Sequence, residues 1–321
     1  MKARTQPSLH LPTVTQRGLS LVEVMVTLAI GMVVTLGIVG IMGINQQNLR
    51  ITEGLSESQE NARMAFELIA RDVRQARDTS CGPVNSIPIN LNANWWGQWQ
   101  PILGFSGSSV TTAVATGDGI GQRVADTQAV QLQGSGETRI IQKITGSKLD
   151  LQSEAGSMGS GPVIVCDLQT ASLHTAATAG SSAITTAPEV KISNSDNPQF
   201  QVSRLTAVTW YIGNNGRAAE GGRSLYRVRL QPDGNPITEE ILPGVVDLSL
   251  RYHAKNANDF TDTAPTTPDA WNLVNAIELT LTTESTQRNV TSEAASGSEL
   301  VGSDGRMRRQ ITHVISLRNT L

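Results

Sequence analysis

The longest apolar run defines the first element. No residue from Val24 to Ile44 is ionisable, and at about 1.5 Å of rise per residue a helix of that length covers roughly 30 Å of bilayer hydrocarbon. The pattern predicts a membrane helix with its spanning half at 19–44. Beyond Ile44 the spacing changes. Leu55, Ala62, Phe66, Ile69, Val73 and Ala76 form a narrow apolar stripe among Glu53, Glu57, Glu60, Arg63, Glu67, Arg71, Asp72, Arg74 and Arg77. Such a stripe predicts an amphipathic continuation to about residue 78 that needs a sheet or another helix against it. Residues 45–47 and Gly54 are the expected points of flexing.

Residues 79–125 are rich in Gly, Pro, Ser, Thr and Asn and read as irregular structure. From Thr127 the signal is strands. AVQLQ, TRIIQKI, KLDLQ and PVIVC alternate or run apolar, with turn residues between them. Residues 170–197 are polar and of low complexity, and predict an exposed loop. AVTWYIG and SLYRVRL follow as a hairpin through GNNGRAAEGG, and then come ITEEILPGVVDLSLRYH, AIELTLTTES and RQITHVISLR. Strands that follow one another without helices between them form a mainly antiparallel sheet.

Composition adds little to this picture. The chain has 321 residues, enough for one large or two small globular domains, and its 17% of charged residues is below the usual quarter. Lys2, Arg4 and Arg17 precede the apolar run with no acid among residues 1–18. By the positive-inside rule the N-terminus stays cytoplasmic and everything after Ile44 lies outside. Loss of those three cations would take the formal charge from -3 to -6. A mildly acidic chain gives no sign of nucleic-acid binding. An ordinary secretory signal would be cut after its apolar core, and no convincing small-residue site follows Ile44, so the run is expected to be retained.

Glu23 stands where a membrane helix should have no acid. A carboxylate in a span costs on the order of 3 kcal/mol and implies a partner. A cut between Gly18 and Leu19 would create an α-amine one helical turn before it, on this or a neighbouring subunit. The alternative is that Glu23 complements the positive end of the helix dipole. Gly37, Gly40 and Gly43 recur at three-residue spacing, either as a low face for a neighbouring helix or as ordinary membrane-helix composition.

Gly18, Leu19, Ser20, Leu21, Val22 and Glu23 resemble the cleavage and methylation motif of type IV prepilins. The resemblance implies removal of residues 1–18 by prepilin peptidase, N-methylation of Leu19 and use of Glu23 in docking. Many members carry Phe where this chain has Leu19. Residues 58–77, SQENARMAFELIARDVRQAR, and 311–321, ITHVISLRNTL, resemble the PilW family of minor pilins. The implied fold is α+β and pilin-like: a long N-terminal helix, 19–78, packed on a mainly antiparallel β-sheet, with a periplasmic β-rich domain at 79–321. The implied function is a non-enzymatic minor pilin that initiates or supports pilus assembly, with roles in adhesion or twitching motility. Its partners would be prepilin peptidase, other minor pilins, the major pilin and the inner-membrane assembly machinery, with no cofactor. A GspJ-like pseudopilin of type II secretion shares these features. A membrane-anchored periplasmic enzyme or receptor is the alternative of another class.

Cys81 and Cys166 are the only cysteines. Outside the membrane they predict a disulfide worth about 4 kcal/mol in the chain-entropy model, two buried thiols being the alternative. Trp95, Trp96 and Trp99 form either an exposed binding patch or a cover over a helix or sheet edge. GDGIG, residues 117–121, lacks the strand and helix of a phosphate loop. His10, His174, His253 and His313 are scattered without metal-ligand spacing. Asn194, Asp196 and Asn197 form a weak calcium candidate. Arg306, Arg308 and Arg309 predict a solvated approach to the last strand.

Overall fold

The computed structural model describes residues 18, 20–80, 95–97, 99–107, 113–166, 170–191, 200–288, 301–302 and 304–318. The chain divides at Leu49/Arg50 into two compact units. Helix α1, Leu21–Gln75, runs from the first unit into the second and shows no break at 45–47 or at Gly54. In the first unit its apolar side chains are exposed, among them Leu21, Leu28, Met32 and Leu36.

In the second unit α1 buries Gly54, Ser58, Ala62, Ala65, Ile69, Ala70 and Val73. This is the predicted stripe, shifted toward small residues: Leu55 and Phe66 are only half-buried. Small side chains let the helix approach the sheet closely, while Ile69 and Val73 each contribute roughly 1.5–3 kcal/mol by burial. Polar contacts fix the register. Ser58 Oγ lies 2.6 Å from Thr283 Oγ1, Asn61 Nδ2 donates to the Pro243 carbonyl at 3.3 Å, and Thr286 Oγ1 donates to Glu57 at 2.9 Å.

Twelve strands in the described residues form two antiparallel sheets. β1 (Ile102–Phe105), β2 (Ala129–Thr145), β3 (Lys148–Leu151), β4 (Ser160–Cys166), β5 (Ala171–Gly180), β6 (Ala183–Ala187), β7 (Gln201–Asn214), β8 (Arg223–Leu230) and β9 (Pro236–Pro243) make the larger. β10 (Val245–Ala254), β11 (Val274–Glu284) and β12 (Arg308–Ser316) make the smaller. The α+β, pilin-like arrangement of a long helix packed on a large antiparallel sheet is therefore present.

The larger sheet partly closes on itself. β2 pairs β3, β3 pairs β6, β6 pairs β5, β5 pairs β4, β4 pairs the start of β7, and that start pairs β2 again. The ring encloses Ile141, Leu149, Met158, Val163, Ile184 and Val202 in a core of its own. The other ends of β2 and β7 form an open sheet with β1, β8 and β9.

Three expectations are corrected. The loop predicted at 170–197 contains β5 and β6, because Ala- and Thr-rich segments with few large apolar residues still form strands when both neighbours supply a ladder. AVQLQ and TRIIQKI are a single strand, β2, with a register shift between Ser135 and Thr138. ITEEILPGVVDLSLRYH is two strands in two sheets. Gly244 divides it at φ 74°, where a Cβ would sit 2.7 Å from the Glu284 carbonyl oxygen, so only glycine turns the chain there without strain.

The central core combines Ile69 and Val73 of α1 with Trp210 and Leu225 of the open sheet and Leu248 and Leu279 of the smaller sheet. Short helix α2, Pro268–Asn272, is capped by Thr267 Oγ1, which accepts from Ala270 N at 3.3 Å, and places Trp271 edge-on to Tyr252.

Candidate processing site and assembly helix

Gly18 and Ser20 are both exposed, and a Cβ added at Gly18 would meet nothing within 4 Å. Leu19 lies outside the described residues. The Ser20 carbonyl accepts from Glu23 N at 3.0 Å and from Val24 N at 3.2 Å, which begins the helix at Leu21. Ser20 and Glu23 therefore stand in the Ser-x-x-Glu spacing of a capping box. Sequence reasoning missed this helix-start signal.

Between Leu21 and Leu49 Glu23 is the single ionisable side chain. The span's hydroxyls are satisfied within the helix: Thr27 Oγ1 donates to the Glu23 carbonyl at 2.9 Å and Thr35 Oγ1 to the Gly31 carbonyl at 2.7 Å. Lipid would leave unbonded hydroxyls costly, so this self-satisfaction suits an apolar solvent. Nothing lies within 4 Å of a Cβ built at Gly37, Gly40 or Gly43. The helix is long and apolar enough to cross a membrane.

The remaining predicted sites fall in the second unit. Cys166 is buried, with its Sγ 3.3 Å from Ser80 Oγ, while Cys81 lies outside the described residues. Trp95, Trp96 and Trp99 are buried with Ala129, Tyr211, Tyr226 and Val228. Gln131 and Gln133 of β2 hold them by donating to the carbonyls of Trp95 and Trp96, both at 3.2 Å. Adjacent residues of β7, Trp210 and Tyr211, belong to different cores, so the tryptophans cover the sheet face opposite α1.

GDGIG is a loop docked on the β7–β8 hairpin: Tyr211 Oη donates to the Gly121 carbonyl at 2.7 Å and Asn214 Nδ2 to the Gly117 carbonyl at 2.8 Å. His174 is buried between Ser172 Oγ and the Pro188 carbonyl, each at 2.7 Å, and burial pushes its pKa down. A carbonyl only accepts, so Nδ1 carries the proton and Nε2 accepts from Ser172. His253 pairs with Asn275, His313 lies against Phe66, and His10 is outside the described residues. No group of three or more His, Cys, Asp or Glu suited to a metal occurs among the described residues. Asn194, Asp196 and Asn197 lie outside them.

The expectation for Arg306 is corrected. It is fully buried, pairs with Asp304 at 2.6 Å and donates to the carbonyls of Ser285, Thr286 and Ala219. Cross-links of this kind hold loop backbone that has no ladder of its own. Arg308 pairs with Glu284 of β11.

Sequence reasoning also missed a cleft of about 150 Å³ lined by Arg71, Asp72 and Gln75 of α1, Arg204 and Thr206 of β7, and Arg227 and Arg229 of β8. Trp210 Nε1 donates to Asp72 Oδ2 at 3.0 Å, and the Arg227 guanidinium lies 5.4 Å from the Trp210 ring centroid. Burial pushes the Asp72 pKa up, against the Trp210 hydrogen bond and the charges of Arg71 and Arg227. The only trace in the sequence was Arg227 and Arg229 at a spacing of two, on one face of a strand.

Residues 14–39 match the family model described as the prokaryotic N-terminal methylation motif. No curated protein and no solved structure matches the chain. The motif, joined to the long apolar helix that it opens, supports a type IV pilin-like or pseudopilin-like protein.

Proposed function

We propose that this chain is a PilW-like minor pilin, a structural and non-enzymatic subunit of a type IV pilus. The observation that carries the reading is the methylation motif at 14–39, opening onto a helix whose sole ionisable residue to Leu49 is Glu23. Prepilin peptidase cuts after Gly18 on the cytoplasmic side and the new amine of Leu19 is methylated. The apolar helix then holds the subunit in the inner membrane with its β-rich unit in the periplasm. On assembly the same apolar surface is buried against helices of other minor pilins and the major pilin, and Glu23 neutralises an α-amine in that apolar setting.

Mass spectrometry of the membrane protein tests the first step. It should find a chain beginning at Leu19, and Gly18→Glu should leave the leader attached. An intact Met1 terminus in cells with active prepilin peptidase would sink the reading in favour of a simple membrane anchor.

Glu23→Ala tests the second step. Insertion and cleavage should survive, because the span becomes more apolar and the glycine is untouched. Assembly should fail, since removing one partner of a buried pair typically costs about 3–5 kcal/mol. Pilus number and crosslinking to other minor pilins, compared at equal membrane levels, give the readout. Unchanged assembly would reduce Glu23 to a helix-end carboxylate. Loss of secretion rather than of pili on deleting the chain would move it to the pseudopilins.

A further inference from the structure

We propose that the cleft between the last turns of α1 and the strands β7 and β8 is a binding site for a compact oxyanion, a carboxylate or phosphate group. The charge of the lining makes the argument. Arg71, Arg204, Arg227 and Arg229 face one carboxylate, Asp72, in a chain whose formal charge is negative.

Neutralisation within the fold is incomplete. Arg227 and Arg229 share Glu239, at 2.7 and 3.3 Å, and Arg71 reaches Asp72 only at 3.5 Å. The Arg204 guanidinium makes no hydrogen bond or ion pair with a described residue, though its charge acts at longer range on Glu137. An arginine carries five N–H donors in a fixed fork suited to two acceptor oxygens, so most of the donors around the cleft are unspent. The Thr206 hydroxyl and the Gln75 amide add neutral donors to the wall.

Size selects among anions. One water needs about 10–15 Å³ of such space, so 150 Å³ holds a group of several heavy atoms. That fits inorganic phosphate or the carboxylate end of an acidic side chain. It is well below the range of about 300–1,000 Å³ usual for larger small-molecule ligands. The two sources that share this chemistry are a free anion and an acidic residue of another protein.

Titration calorimetry on the full chain in detergent micelles, at constant ionic strength in chloride, separates them. The probes are inorganic phosphate and a terminally blocked triglutamate peptide. We expect saturable binding of at least one probe, at one site per chain. Phosphate alone marks a free-anion site, the peptide alone marks a seat for an acidic residue of a partner, and either outcome supports the cleft.

Arg204→Gln should weaken binding about tenfold, the worth of one charge-assisted contact, and it should fold normally because it breaks no ion pair. Arg204→Lys should restore only part of the affinity, keeping charge without the fork. Asp72→Asn should tighten binding by removing the opposing carboxylate. Arg63→Gln, on the exposed face of α1, should change nothing. Absence of saturable heat with both probes, or equal weakening by Arg63→Gln and Arg204→Gln, would overturn the proposal.

Discussion

Asp72 shows how a single carboxylate sets a pH dependence. Its folded pKa is raised above the ordinary 3.8, chiefly by burial. An acid with a raised folded pKa contributes stability below its unfolded value and loses that contribution as pH rises through the folded value. At neutral pH the buried charge is therefore a burden, only partly relieved by Trp210, Arg71 and Arg227. Asp72→Asn keeps an acceptor for the Trp210 indole and removes the charge. Its melting temperature should exceed wild type at pH 7, with the advantage shrinking toward pH 4 and gone below the ordinary 3.8. A constant difference across that range in calorimetry would place the gain elsewhere. The methylation motif was legible because its signal is local, a few residues in fixed order. Asp72 was legible only as a helix charge, since its neighbours come from β7 and β8, more than a hundred residues away.

At the scale of elements, the end of α1 is the informative junction. Arg77 follows the helix at φ 68°, a left-handed conformation unusual for a residue with a side chain. It is buried rather than solvated as its place among the stripe's charges suggested, and burial pushes its pKa down. Its guanidinium donates to the carbonyls of Asn272 at 2.9 Å and Trp271 at 3.3 Å, while its own N–H donates to the Gln133 carbonyl at 2.9 Å. Arg77→Gly relieves about 1 kcal/mol of backbone strain, yet removes two charge-assisted hydrogen bonds, to the Asn272 and Trp271 carbonyls, of roughly 1.5–3 kcal/mol each. The net should be a loss of about 2 kcal/mol in urea unfolding, and a stabilised variant would show that the strain outweighs the contacts. Close approach here also depends on Gly134, where a Cβ would lie 2.6 Å from the Gln75 carbonyl oxygen. Helix and strand periodicity marked α1 and the segments of β2–β4 and β7–β12, each with an apolar face to a core, but it split β2, ran β9 into β10 and left β1 inside a stretch read as irregular. β5 and β6 escaped notice because their sequences, ASLHTAATAG and AITTA, carry few large apolar residues and are strands by virtue of their neighbours.

For the whole molecule, the two cysteines would tie the segment after α1 to β4. Ser80 places the chain beside Cys166, and peptide maps of periplasmic material should show Cys81 linked to it. Replacing both with Ser should cost roughly 4 kcal/mol of stability. Two freely alkylated thiols in native protein would rule the bridge out. The cleft joins α1 to β7 and β8, and a Cys81–Cys166 bridge would likewise span distant segments, so neither could be established from local pattern. β2 and β7 are direct partners from Ala129↔Tyr211 to Ile140↔Gln201, so β3 to β6 are an excursion leaving and rejoining one long hairpin. None of the described residues from β3 to β6 enters the core that α1 shares with the two sheets. The ring of strands is in this sense a graft on a simpler frame: apart from the edge of β4 and β5 that carries Cys166 and meets the tryptophans, its sequence can vary without touching the core that seats the helix.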